Sequence, residues 1–167
     1  RGGVLAELTP PERHCAQSGE LGIAYQVFGQ GSRDLVYVPG IFSHIELAEN
    51  PFSTAFQHDL GKCSYVIVFD KRGTGMSDRV DGASSVEQRV DDMHAVMEAA
   101  GSAHATIFAL SEGDLYALFA TIYPEKVEWP VLFGTIAHFA NAEATAAPGS
   151  EALDHRRLAP ALFTDIV

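Results

Sequence analysis

Residues 106–114 read TIFALSEGD: an apolar run stops at Ser111, an acid and a glycine follow, and a helix-forming stretch begins at once. The run TIFAL shows no polar alternation, as expected of a strand covered on both faces. The stretch after it places Leu115, Leu118, Phe119 and Ile122 on one stripe and stops at Pro124, which predicts an amphipathic helix. Two explanations fit a serine at such a turn. It can be a helix N-cap, or it can be a nucleophile carried on a tight strand-to-helix elbow with its hydroxyl exposed above the sheet. Its place between a buried strand and an amphipathic helix favours the elbow.

Working outward, DLVYVPG and YVIVFD are two more short apolar runs, ending in Pro39-Gly40 and in Asp70. Between them PFSTAFQHDLGK opens with Pro51 and carries Phe52, Phe56 and Leu60 at intervals of four, a helix with one apolar face. Ser84 and Glu87 form a capping-box pattern ahead of VEQRVDDMHAVMEAAG, in which Val86, Val90, Met93, Met97 and Ala100 recur with helical spacing before Gly101. VEWPVLFGT predicts a further strand, and Pro130 inside it gives that strand an unpaired side. At the other end, RHCAQSGELGIAYQVFGQG reads as two strands joined at Ser18-Gly19. Buried strands alternating with helices after a hairpin predict an α/β fold with a mainly parallel sheet. The organisation expected is an N-terminal extension over 1–11, a core over 12–139, and a tail or cap remnant over 140–167.

The 167 residues, 47% hydrophobic, suffice for one packed domain. The formal charge of -11, with no basic cluster, argues against nucleic acid or an anionic membrane as partner. There is no apolar run long enough to span a bilayer and no signal-peptide pattern, so a cytoplasmic location is expected. Cys15 and Cys63 are far apart and lack metal-ligand spacing; they are expected to be buried or half-buried free thiols. No metal or organic cofactor is indicated.

In a parallel sheet, ligands bind beyond the carboxyl ends of the strands. Three such ends are unusual here: Pro39-Gly40-Ile41, Asp70 to Ser77, and Leu110-Ser111-Glu112. Ser111 on an elbow could attack an acyl carbonyl while the Ile41 and Glu112 backbone N–H groups, helped by the dipole of the following helix, hold the oxyanion. Arg72 and Asp78 read as fixing the loop beside the pocket. The elbow departs mildly from Gly-x-Ser-x-Gly, with Ala109 at the first position and Gly113 at the last.

LVYVPGIFSHIE, VIVFDKRGTGMSDR and ALSEGD, followed by YPEKVEWPVLFGT, resemble the α/β-hydrolase superfamily. They are especially similar to hydrolase-like domains found fused to nucleotide cyclases or transcriptional regulators. The resemblance covers residues 12–140 and rests on Asp70, Arg72, Gly73, Gly75 and Ser77 together with the elbow. It implies Ser111 as nucleophile and Ile41 and Glu112 as the oxyanion-hole backbone. In the complete pattern an acid and then a general-base histidine follow the serine on two later strands, and those positions are expected to be missing here. His138 is the preferred substitute base, with His44 and His155 as alternatives. The last strand should then form a sheet edge that favours a homodimer or other self-association. The reading is a serine carboxylesterase for small or short-chain esters; the alternative is a non-catalytic hydrolase-like binding or regulatory module, or a fragment of a longer protein.

Overall fold

Strand β1 (Arg13–Ser18) pairs antiparallel with β2 (Leu21–Phe28), and the chain reverses through Gly19 and Glu20, one residue later than the sequence suggested. The computed structural model describes residues 11–40, 44–45 and 51–134, with residues 51–54 described in backbone only. Next come β3 (Asp34–Val38), α1 (Pro51–Gly61), β4 (Tyr65–Phe69), α2 (Val86–Ala99), β5 (Ala105–Leu110) and α3 (Gly113–Ile122). A single 3-10 turn at Pro124–Lys126 leads into β6 (Val127–Phe133).

The six strands form one sheet in the order β1-β2-β4-β3-β5-β6. From β4 to β6 every neighbouring pair is parallel, while β2 meets β4 antiparallel, so the hairpin extends one side of a parallel sheet. This is the mainly parallel α/β architecture expected. Pro130 lies opposite Ile107 on β6, which among the described residues has β5 as its one neighbour, so its missing N–H costs no ladder bond on the open side.

The pleat sorts the strands' side chains onto two faces. Val36, Val38, Ile107 and Ala109 are fully buried in the main core with Met93, Met97, Leu115 and Phe119 of α2 and α3. Tyr37 and Phe108, opposite each other in register, turn the other way and meet Phe56 of α1, with ring centroids 5.5–6.2 Å apart. Each fully buried large apolar side chain contributes about 1.5–3 kcal/mol.

Several local expectations are corrected. The capping box of α2 uses Ser85 and Gln88 rather than Ser84 and Glu87: Ser85 Oγ accepts the Gln88 N–H and Gln88 Oε1 accepts the Ser85 N–H. Ile122, placed on the buried stripe of α3 by spacing, is 48% exposed because the helix ends there, beyond the reach of the sheet. Strand β5 alternates buried and half-buried residues rather than being uniformly covered. Cys15 and Cys63 are both exposed, the first on the edge strand β1 and the second just past the end of α1. No helix among the described residues is long and apolar enough to cross a membrane.

Candidate active site

Ser111 follows the last residue of β5, is exposed, and has φ +60, the one non-glycine residue at positive φ among those described. That conformation costs an L-residue about 1–2 kcal/mol and persists only where the surroundings over-determine it. Its N–H donates to Phe133 O at 3.0 Å, which carries the β5–β6 ladder one step past the strand. Its hydroxyl has one described partner, a long 3.4 Å contact to Gly134 O.

Glu112 follows as the N-cap of α3, but its side chain makes no cap. The carboxylate turns inward instead. Lys71 Nζ stands 2.6 Å from Oε1, and Arg89 Nη1 donates to Oε2; Arg89 Nη2 reaches the exposed Asp114 at 3.3 Å. The side chains of Glu112 and Lys71 are 8% and 10% exposed, so this pair is largely withdrawn from water. Among the described residues the Glu112 N–H has no hydrogen-bond acceptor. It lies in the peptide immediately after Ser111, at the positive end of α3.

The neighbouring strand ends are built around Asp70, which is fully buried. Its Oδ2 accepts the Met76 N–H at 2.8 Å and its Oδ1 accepts the Ile45 N–H at 2.9 Å, tying the loop after β4 to the connection after β3. Ser77 Oγ donates to Asp70 O at 2.6 Å and accepts the Ala24 N–H at 2.9 Å. Arg72 forks onto Asp92 of α2 through Nε and Nη2, both at 2.7 Å, and also donates to Gln88 O. Hydrogen bonding to Asp92 pushes the Arg72 guanidinium above its already high ordinary pKa. Asp78 Oδ2 accepts the Gly22 N–H at 2.7 Å. Arg72 and Asp78 thus hold the loop in place. Gly40 lies beside the elbow: a Cβ built on it would stand 3.4 Å from Leu110 O.

An open cleft of about 440 Å³ runs beside the elbow, lined by Glu112, Lys71, Arg89, Thr74, Val80 and Ser84, among others, but not by Ser111. Among the sequence-predicted site residues, Ser111 and Glu112 are adjacent at the end of β5. Ile41, His138 and His155 lie outside the described residues. His44 is exposed. No group of three His, Cys, Asp or Glu among the described residues could hold a metal.

No protein-family model and no curated protein sequence matches the chain. Solved structures do. A variant of the meta-cleavage product hydrolase CumD is 25% identical with a TM-score of 0.63, covering 75% of this chain and 45% of that one. A hydrolase from Pseudomonas aeruginosa PA01 is 22% identical with a TM-score of 0.65, over 74% and 46% of the two chains. Est816, described as an N-acyl homoserine lactone degrading enzyme, is 21% identical with a TM-score of 0.59, over 73% and 45%. The chain has the α/β-hydrolase fold.

The chain spans less than half the length of these α/β hydrolases. Within the shared portion, sequence reasoning missed two things: the burial of Asp92 on α2, and the ionic contacts of Glu112, considered only for its N–H. Asp92 offered a weak signal, an acid one helical turn before the apolar Val96. Glu112 offered none, since an acid at the start of a helix is ordinarily a solvated, dipole-favoured residue.

Proposed function

We propose that the protein is a serine hydrolase for small or short-chain carboxylic esters, working through an acyl-enzyme on Ser111. Ser111 Oγ attacks the carbonyl carbon as its proton passes to a histidine, His138 by preference. The oxyanion accepts hydrogen bonds from the Glu112 and Ile41 N–H groups. Collapse breaks the ester C–O bond, and the imidazolium returns its proton to the departing alkoxide. Water, deprotonated by the same imidazole, then attacks the acyl carbon and frees the acid and Ser111. No metal or cofactor is needed for these steps.

The observation that carries this reading is the left-handed Ser111 between a strand and a helix, followed by a peptide N–H with no acceptor among the described residues. A capping serine has no need of such a conformation, since N-caps sit in the extended region. The fold of the similar structures agrees with it.

The test is intact-mass analysis after treatment with a fluorophosphonate, beside Ser111→Ala. A single adduct lost in the mutant is expected, together with turnover of short-chain p-nitrophenyl esters that falls by about 10³-fold or more in Ser111→Ala. Absence of an adduct on folded protein would replace this reading with that of a binding or regulatory module. Slow labelling in His138→Ala would support His138 as the base; unchanged labelling would move the role to His44 or His155.

A further inference from the structure

The buried carboxylate of Glu112 is gripped from two elements: Lys71 from the loop after β4, and Arg89 from α2. Burying such charges is expensive, and apolar residues of similar volume often stabilise a fold as well or better. The location of the cluster suggests what it supplies instead. The preceding residue is the strained Ser111, whose N–H is already fixed to Phe133 O. On the other side α3 begins at Gly113. Glu112 is therefore the one link between a fixed strand end and a fixed helix start, at φ -119 and ψ 44, outside the helical region and with no side-chain cap to hold it there.

We infer that Lys71 and Arg89 are positioning residues: by clamping the Glu112 carboxylate they hold Ser111 in its left-handed conformation and aim the Glu112 N–H. The clamp acts on the peptide between Ser111 and Glu112, the one that carries this N–H. With the Ser111 N–H fixed to Phe133 O, a return of Ser111 φ to negative values would swing Glu112 as a whole and would require its carboxylate to leave both cations. The catalytic consequence rests on the proposed role of Ser111 as nucleophile; the conformational one does not.

The two are separated by a stability cycle. Ser111→Ala and Ser111→Gly are compared by urea unfolding in the native background and in Lys71→Met/Glu112→Met/Arg89→Met, which removes all three charges and leaves no buried ion unpaired, Asp114 being exposed. With the clamp present, Ser111→Gly should have an unfolding constant about fivefold smaller than Ser111→Ala, because glycine alone adopts this φ freely. Without it Ser111 relaxes and the ratio falls to about one. If the triple variant does not fold, Glu112→Gln, which keeps the side-chain shape and loses its charge, serves in its place. A ratio that stays fivefold in the clamp-free background would overturn the inference.

With Ser111 intact, loss of the clamp should slow fluorophosphonate labelling by about 10²-fold, as for a misplaced oxyanion donor. For esters kcat should fall while KM changes little, and Lys71→Arg or Arg89→Lys should retain most of the rate. An unchanged labelling rate alongside a collapsed stability ratio would overturn the catalytic half. If the native protein takes no label, the nucleophile assignment fails by itself, and the stability cycle still decides the clamp.

Discussion

Ser111 and Gly75 both have positive φ, at +60 and +51, for opposite reasons. At Gly75 the constraint is space: a Cβ there would lie 2.0 Å from Asp70 Oδ2, a carboxylate already committed to the Met76 and Ile45 N–H groups. Gly75→Ala should therefore lose about 3 kcal/mol or more, from the left-handed cost plus the displacement of a buried anion, and urea unfolding would show it. A loss below about 1 kcal/mol would mean that the loop rebuilds around Asp70 at little cost. At Ser111 space is not the constraint, and a side chain is kept in a conformation that glycine would adopt more easily. In an ordinary turn that is a defect, whereas a nucleophile must carry its hydroxyl. The serine was legible from its neighbours in sequence, because a buried strand and a helix flank it directly. The inward turn of Glu112 was not, since its partners are 41 and 23 residues away along the chain.

Helix α2 enters the fold through one capping box and one buried ion pair, and both can be tested. The sequence SSVEQ offers two serines and, three residues on from each, either Glu87 or Gln88; local pattern does not choose between the frames. The structure selects Ser85. Ser85→Ala should cost about 1 kcal/mol, whereas Ser84→Ala should stay within about 0.5 kcal/mol; the reverse order of losses would put the cap in the other frame. Further along, Asp92 is 1% exposed and takes both arms of the Arg72 fork. Asp92→Ala leaves the guanidinium, itself 9% exposed, without its anion and should cost about 3–5 kcal/mol. The double variant Arg72→Met/Asp92→Leu should recover most of that loss. Full additivity of the two single losses would mean that the pair does not act as a unit. The strands and helices were legible because each is a short run with one period. The bounds and faces that went astray, at Ile122 and along β5, depend on where neighbouring elements stop.

Across the whole molecule, packing on both sides of the sheet raises the pKa of several phenols. Burial pushes Tyr37, against Phe56 and Phe108 on the α1 side, above its ordinary value of 10.0. Burial does the same for Tyr116 on α3. It acts likewise on Tyr25 in β2, with smaller contributions from Tyr65 and Cys15. A folded-state pKa above the unfolded one means that the native protein holds these protons more tightly. The associated stability is fully present below pH 10 and is lost as pH rises through the raised folded values. Stability should therefore be insensitive to these groups between pH 7 and about 9 and should fall steeply above about pH 10. Tyr37→Phe and Tyr116→Phe each remove one ionisation, so each should shift the alkaline unfolding midpoint upward, and together they should shift it further, since the two phenols stand on opposite faces of the sheet. Spectrophotometric titration at the tyrosinate band supplies the independent check: the native protein should ionise these phenols at higher pH than the unfolded chain does. Smooth ionisation near pH 10 with secondary structure intact would show that the two helical layers admit water to the rings, and the alkaline limit would then have to come from other groups.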